Sequence, residues 1–271
     1  MSVRTARAVV PSHHPVPVGE LIDAWWAVQR GEFRRSAASR GQAPRSVATA
    51  WRPAPGEVPI LVTGCGGSVG ASTVALLLAS AAPRSRVVEC SPRACSGLAG
   101  ASTAELGEAE AGWLCGTRGE VRIQRRSDDF ESPDALPAPV EGVPGGVTIV
   151  DCWWELRQTL ASPGWLGNLA RECERVVLVA RATVPGMQRL ESSLSMLRPD
   201  RCWPVITGAS ARRLPRPVGH AMGPLTRQLV RGGRLHCLPD NPVLALSGIT
   251  TEPLPRSYAP AAARLLEGLL K

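Results

Sequence analysis

The stretch Gly64-Cys65-Gly66-Gly67-Ser68-Val69-Gly70-Ala71-Ser72-Thr73 holds the residues best suited to chemistry. Its glycines let successive backbone N–H groups curl around an anion, and a helix opening at Ser72-Thr73 adds the favourable end of its dipole. A strand-type run, Pro59-Ile60-Leu61-Val62-Thr63, precedes the loop, and an Ala/Leu run to Ala82 follows it. That is the strand–loop–helix context a phosphate cradle needs. Two carboxylates close later apolar runs: Glu89 ends Arg86–Glu89, and Asp151 follows Val147–Val150. Ser72, Thr73, Glu89 and Asp151 are the polar side chains at these junctions; their plain readings include a helix cap for Ser72 and a strand-end cap for Asp151.

Elements must bring these residues together. Strand-type runs at 59–63, 86–89, 147–150, 176–180, 203–207 and 235–238 alternate with helical stretches at 72–82, 99–112, 156–175, 186–197, 222–231 and 258–270. Residues 128–146, rich in Pro, Gly and acids, read as a loop. The alternation predicts an α/β domain over 58–271 with a mainly parallel sheet. Residues 1–57 differ. Six prolines flank a single helical stretch, 18–39, whose Leu21, Ile22, Trp25, Trp26 and Val28 form an apolar stripe. This reads as a flexible Pro/Arg-rich arm carrying one amphipathic helix. That helix either packs on the domain or meets a partner or a membrane surface.

The 271 residues are 44% apolar and 20% charged, which excludes wholesale disorder. Aromatics are only 4%, so the core must be built from Ala, Val and Leu. No apolar run reaches the ~18–20 residues of a membrane span, and Met1–Val10 lacks the apolar core of a secretory signal. The eight cysteines (65, 90, 95, 115, 152, 173, 202 and 237) include no CxxC pair, and the four histidines are not at zinc-ligand spacing. They read as reduced thiols of a cytoplasmic protein. The net charge is +8, and all basic residues but one are arginine, Lys271 being the only lysine. No chemistry that needs an internal lysine can be run by this chain alone.

The loop resembles the deviant P-loop of the MinD/ParA family, particularly its CpaE/TadZ-type branch, in which GGVGAST endings replace GKT. Val87-Val88-Glu89-Cys90-Ser91-Pro92 resembles the family's hydrophobic-DxDP segment. Val147–Val150 with Asp151 resembles its Walker B strand, and Val176–Pro185 the strand and loop that follow. Leu238-Pro239-Asp240 through Leu254-Pro255 resembles its C-terminal end. The resemblance covers roughly residues 58–271. It implies a P-loop NTPase-like (SIMIBI class) sheet with helices on both faces, ATP and Mg²⁺ as ligands, protein partners and a homodimer. It also implies that Ser72 offers a hydroxyl to Mg²⁺, with Thr73 beside it and Asp151 as a carboxylate behind the ion, and that Glu89 positions a water.

The departures concern charge. Ala71 occupies the position of the P-loop lysine, and Gly66 that of the family's second, signature lysine. A lost charge-assisted contact costs roughly 1.5–3 kcal/mol of binding. Ser91 replaces an aspartate and cannot act as a general base, and Trp153-Trp154 stand where the family often has a Pro/Gly switch. The leading expectation is therefore a degenerate member acting as a positional, scaffolding or regulatory factor for an envelope, conjugation or partitioning machine. One alternative is an active Mg-ATPase whose missing cation comes from an arginine or a partner chain. Another is a non-specific DNA-binding partition protein using the Arg198–Arg234 stretch, whose eight arginines face Asp200 alone. The same stretch would suit an anionic membrane surface, placing the protein at the inner face of the membrane.

Overall fold

The computed structural model describes Trp25 and residues 51–140, 142–210 and 214–271. Contacts divide the chain into two units, Met1–Val47 and Ala48–Lys271. The helix expected over 18–39 lies outside the described residues except for Trp25, which is helical and exposed.

In the second unit the apolar runs become β1 (Val58–Gly64), β2 (Ser85–Cys90), β6 (Val147–Cys152), β7 (Val176–Arg181), β8 (Cys202–Thr207) and β9 (His236–Leu238). Three further strands are β3 (Ala104–Glu108), β4 (Trp113–Arg118) and β5 (Val121–Arg126). All nine form one sheet in the order β3-β4-β5-β2-β6-β1-β7-β8-β9. Six neighbouring pairs from β5 to β9 are parallel, and only the β3-β4-β5 edge is antiparallel. The expected mainly parallel α/β sheet is the observed one.

Helices cover both faces. Helix α1 (Ala71–Ala81) and the C-terminal helix α8 (Ala259–Leu270) pack on the face lined by Ile60, Val62, Ile149 and Val179. Helices α2 (Leu156–Ala161), α3 (Trp165–Glu172), α4 (Val184–Ser195) and α6 (Pro224–Arg231) cover the other, lined by Leu61, Val150, Leu178 and Ile206. Two short helices, α5 (Arg216–His220) and α7 (Pro242–Ser247), complete the described set. Six consecutive residues of α1, Val74–Ala79, are buried because the helix is covered by the sheet and by α8. Apolar residues all around a helix fit such a buried position.

Prolines inside two central strands are accommodated by strand length. The Leu61 amide donates to Arg175 on the β7 side, so by the two-residue repeat Pro59 also faces β7. There it lies ahead of the first β1–β7 pair, Leu61 with Val176. The Gly208 amide likewise donates to Leu238 of β9, so Pro204 faces β9 ahead of the first pair, Val205 with His236. Neither missing N–H removes a ladder bond.

Two local expectations are corrected and one hairpin is added. Residues 99–112, expected as helix, contain β3 and a 3₁₀ turn at Glu110–Gly112. The small residues carry helix propensity but no apolar stripe, and pairing with β4 prevails. The hairpin β4–β5 was not anticipated; its two-residue loop, Gly119-Glu120, begins with a left-handed glycine (φ 56°). The helix expected over 156–175 is two helices, broken at Ser162-Pro163-Gly164.

The folded unit also begins ahead of residue 58. Trp51 packs edge-on against Trp165 at 5.7 Å, and Glu57 is buried against Arg86. The Arg86 side chain, fully buried, pairs with Glu57 at 3.1 Å and donates to Thr148 Oγ1 (2.8 Å), Gln124 Oε1 (3.1 Å) and the Val140 carbonyl (2.8 Å). Burial opposes ionisation of Glu57. Hydrogen bonds from Thr148 and the Ala54 amide, with Arg86 beside it, outweigh burial and hold its pKa below the usual value. Removing one member of a buried pair leaves the other uncompensated, at about 3–5 kcal/mol. Arg86→Ala is therefore expected to lower stability by that amount in urea denaturation, and a loss under 1 kcal/mol would contradict this role.

Candidate functional site

The chain leaves β1 at Gly64 and immediately turns. A Cβ on Gly64 would lie 2.9 Å from both the Gly66 carbonyl oxygen and Val69 Cγ2, so only glycine fits this turn. The Cys65 amide donates to the Val179 carbonyl at 2.8 Å, which extends the β1–β7 ladder into the loop. Ser68 (φ 54°) and Gly70 (φ 88°) are both left-handed. Left-handed residues alternating with others turn backbone N–H groups into a common concavity. The Thr207 hydroxyl donates to the Val69 carbonyl at 2.8 Å and holds the far side of the turn from β8.

Gly70 is the N-cap of α1, with no side-chain cap, so Ser72 is not the cap. The first intrahelical bond runs from Val74 N to Gly70 O. The amides of Ala71, Ser72 and Thr73 therefore have no partner within the helix and point out of its end. They line a cleft of about 1140 Å³ together with Gly64–Gly70 and Asp151. This cleft sits where β1 and β7 send their helices to opposite faces, at the carboxyl edge of a parallel sheet. Open α/β sheets place their ligands at such points.

The parallel register brings the two predicted carboxylates together. Glu89 of β2 pairs with Asp151 of β6, and Asp151 with Val62 of β1. Both carboxylates are buried. Burial is the main cause that raises the Asp151 pKa to about 7; the charge of Glu89 adds to it, and a hydrogen bond with the Ser72 hydroxyl opposes it. Ser72 and Asp151 are thus adjacent, as a hydrated Mg²⁺ delivered by a phosphate chain would require. No group of three or more His, Cys, Asp or Glu side chains able to hold a metal occurs among the described residues. An ion here would depend on its phosphates for most of its ligands.

Glu89 does something else. Its carboxylate accepts from Ser96 Oγ at 2.6 Å and from the Leu98 amide at 2.9 Å, and the Gly97 amide also bonds to it. Burial nevertheless raises its pKa. This loop packs directly on Ser72: a Cβ on Gly97 would come within 2.6 Å of Ser72 Oγ. Glu89 is therefore engaged in holding the 96–98 loop against Ser72.

Several cleft residues were not singled out from sequence. Arg157, Arg181 and Arg189 all line it. Arg181 pairs with Asp240 at 2.7 Å. Arg189 lies against the loop, its Nη1 3.0 Å from where a Cβ on Gly66 would be. Nothing in the local sequence marks an arginine in the middle of α4 as facing a loop over a hundred residues earlier. Cys65, in the same loop, is a partly buried thiol whose pKa burial pushes up to about 11, so it is not a reactive thiolate. Of the tryptophan pair after Asp151, Trp154 is buried and Trp153 is half-exposed, the rings meeting edge to face at 5.1 Å.

The arginine-rich stretch 198–234 contributes less surface charge than its composition suggests. Arg201 is buried and donates to the carbonyls of Ala170, Arg171 and Cys173 at the end of α3. Arg198 pairs with Asp200 at 2.6 Å, and Arg234 lies 5.0 Å from the Trp203 ring. Arg212 and Arg213 lie outside the described residues. No helix among the described residues is long and apolar enough to cross a membrane.

No family model matches the sequence, and no curated protein matches it. Among solved structures, a putative plasmid partition protein of Borrelia burgdorferi bound to AMPPNP is 13% identical with a TM-score of 0.47, over 79% of this chain and 98% of that one. The septum site-determining protein MinD of Pyrococcus horikoshii, complexed with Mg-ADP, is 15% identical with a TM-score of 0.48, over 79% and 96%. The cell division protein MinD of Aquifex aeolicus is 12% identical with a TM-score of 0.47, over 79% and 97%. Likeness at this level says nothing about which residues act.

The raised Asp151 pKa has a definite sign for stability. The folded protein keeps a proton on Asp151 up to about pH 7, whereas the unfolded chain releases it near 3.8. Stability from this group therefore falls as pH rises through that window. Asp151→Asn cannot ionise, so its stability relative to the wild type is expected to be higher at pH 8 than at pH 5 by on the order of 2–3 kcal/mol. Denaturant titrations at the two pH values check this; a gap independent of pH would contradict it.

Proposed function

We propose that this chain is a degenerate MinD/ParA-like protein that binds a nucleoside polyphosphate at the Gly64–Thr73 loop without turning it over efficiently. It acts as a positional, scaffolding or regulatory factor through protein partners. The observation that carries this reading is a division of the site. The backbone cradle is built, with its turn fixed by Gly64, Gly70 and Thr207, while the groups that would drive hydrolysis are disengaged. Glu89 is occupied by three donors of the 96–98 loop and is not free to orient water. Ala71 leaves the phosphate chain without the loop lysine, and Lys271 is at the far end of the chain.

Binding follows from these parts. The amides of residues 66–73 would take the phosphate oxygens, with the end of α1 adding its dipole. Ser72 and Asp151 would hold a Mg²⁺ that arrives with the nucleotide; the ion would offset phosphate charge. Asp151 is half-protonated near neutral pH, so this support strengthens as pH rises above about 7. Loss of one positioned transition-state donor typically lowers turnover by about 10²–10³-fold. A bound but persistent nucleotide suits a protein whose output is a conformation presented to a partner.

A Mg-ATPase of the MinD/ParA type remains the principal competitor, and its test is the same experiment. Calorimetry is expected to show the wild type binding Mg-ATP while phosphate release stays at background. Ala71→Lys is expected to tighten binding by about ten- to a hundredfold, the worth of one charge-assisted contact. Measurable turnover by the wild type would contradict the non-hydrolysing reading. DNA binding has weaker support, given the buried Arg201 and the paired Arg198. The mobility of a generic duplex at low salt is expected to be unchanged by the protein.

A further inference from the structure

The loop has no lysine, yet a chain of phosphates bound there carries several negative charges that backbone amides only partly offset. The cleft contains three arginines, and they are not equivalent. Arg181 is neutralised by Asp240 at 2.7 Å. Arg157 lines the cleft from α2. Arg189 is the one laid against the loop: a Cβ on Gly66 would be 3.0 Å from its Nη1, 3.7 Å from its Cδ and 3.9 Å from its Cζ. Among the described residues, Arg189 makes no hydrogen bond or ion pair, so its guanidinium charge is not already committed.

Its position is built rather than incidental. Helix α4 begins at the Thr183 cap, whose hydroxyl accepts from the Gly186 amide at 3.1 Å. Met187, Leu190 and Leu194 bury one side of the helix against the sheet. Arg189, Ser192, Ser193 and Met196 line the cleft on another side, at the i, i+3, i+4, i+7 spacing of one helix face. Glu191 fixes the helix further. It accepts from the Leu225 amide (2.7 Å), the Thr226 amide (3.0 Å) and the Thr226 hydroxyl (2.7 Å) at the start of α6. Burial opposes its ionisation, but these bonds prevail and hold its pKa below the usual carboxylate value.

We propose that Arg189, reaching from α4 to the Gly66 turn, supplies the cation that holds the phosphates of the bound nucleoside polyphosphate in place of a loop lysine. The proposal rests on the polyphosphate-binding reading above. A guanidinium offers two parallel N–H donors to phosphate oxygens, where an ammonium offers a point charge. Because Arg189 is solvent-exposed, its contribution is screened by salt. Because it stands on a helix anchored at α6, the ligand would link the loop to α4 across the cleft.

Isothermal calorimetry with Mg-ATP and with inorganic tripolyphosphate tests this, on the full chain. Four proteins are compared: wild type, Arg189→Gln, Arg189→Lys and, as a control, Arg231→Gln on α6. Arg189→Gln is expected to weaken both probes by about ten- to a hundredfold, with an unchanged melting temperature. Arg189→Lys is expected to recover part of the loss, Arg231→Gln to match the wild type, and the wild-type advantage over Arg189→Gln to shrink at 0.5 M salt. Equal affinity of Arg189→Gln and wild type would overturn the role of Arg189 while leaving the polyphosphate reading intact. Absence of binding by the wild type to either probe would overturn the polyphosphate reading and the role of Arg189 with it.

Discussion

Parallel register is the constraint on which the rest of the site depends. Because β1, β2, β6, β7 and β8 run in one direction, their C-terminal ends share one edge. Gly64, Glu89, Asp151, Arg181 and Thr207, up to 143 positions apart in the sequence, meet there as a consequence of strand pairing alone. A slip of one residue in β6 would move Asp151 off the row of Glu89 and turn its side chain to the other face. The buried Arg86–Glu57 pair secures the other end of the same strands. Thr148 of β6, one of the partners of Arg86, is shared by Glu57.

At the carboxyl edge the chain concentrates acid in the interior and leaves arginine at the rim. Burial raises the pKa of both carboxylates, and the charge of Glu89 raises that of Asp151 further. The 96–98 loop supplies Glu89 with donors, and Ser72 supplies Asp151, so neither is left without a hydrogen bond. Under the proposed reading, these internal bonds keep Glu89 from the phosphates. Among the described residues, positive charge in the cleft comes from Arg157 and Arg189 on neighbouring helices and from Arg181 at the end of β7. Such an arrangement favours holding an anion over polarising it.

Much of the fold was legible in the sequence because a parallel sheet buried on both faces writes its strands as continuous apolar runs. Val147–Val150 and Val176–Ala180 are of this kind. The antiparallel edge was not legible for the converse reason. β3 is exposed along its whole length, and its Ala, Glu and Gly residues carry no apolar alternation. The β4–β5 loop, Gly119-Glu120, was a readable turn signal, since the Val121-Arg122-Ile123-Gln124 alternation follows it. At the candidate site, the loop glycines and Asp151 were legible because they follow apolar runs, and Ser72 because it stands where the next helix opens. Occupation of Glu89 by the 96–98 loop could not, because a glutamate at a strand end has the same sequence signature whether it faces a loop or a ligand. Arg189 was invisible for a related reason: its contact with Gly66 is set by the docking of α4, not by any local pattern.

The most direct measurement is a crystal structure of the full chain with a non-hydrolysable nucleoside triphosphate and Mg²⁺. The account predicts phosphate oxygens within hydrogen-bonding distance of the amides of residues 66–73, with the Arg189 guanidinium on the terminal phosphates and Glu89 still bonded to the 96–98 loop. Phosphates seated elsewhere, or Glu89 released from that loop and turned toward a water in line with the terminal phosphate, would contradict it.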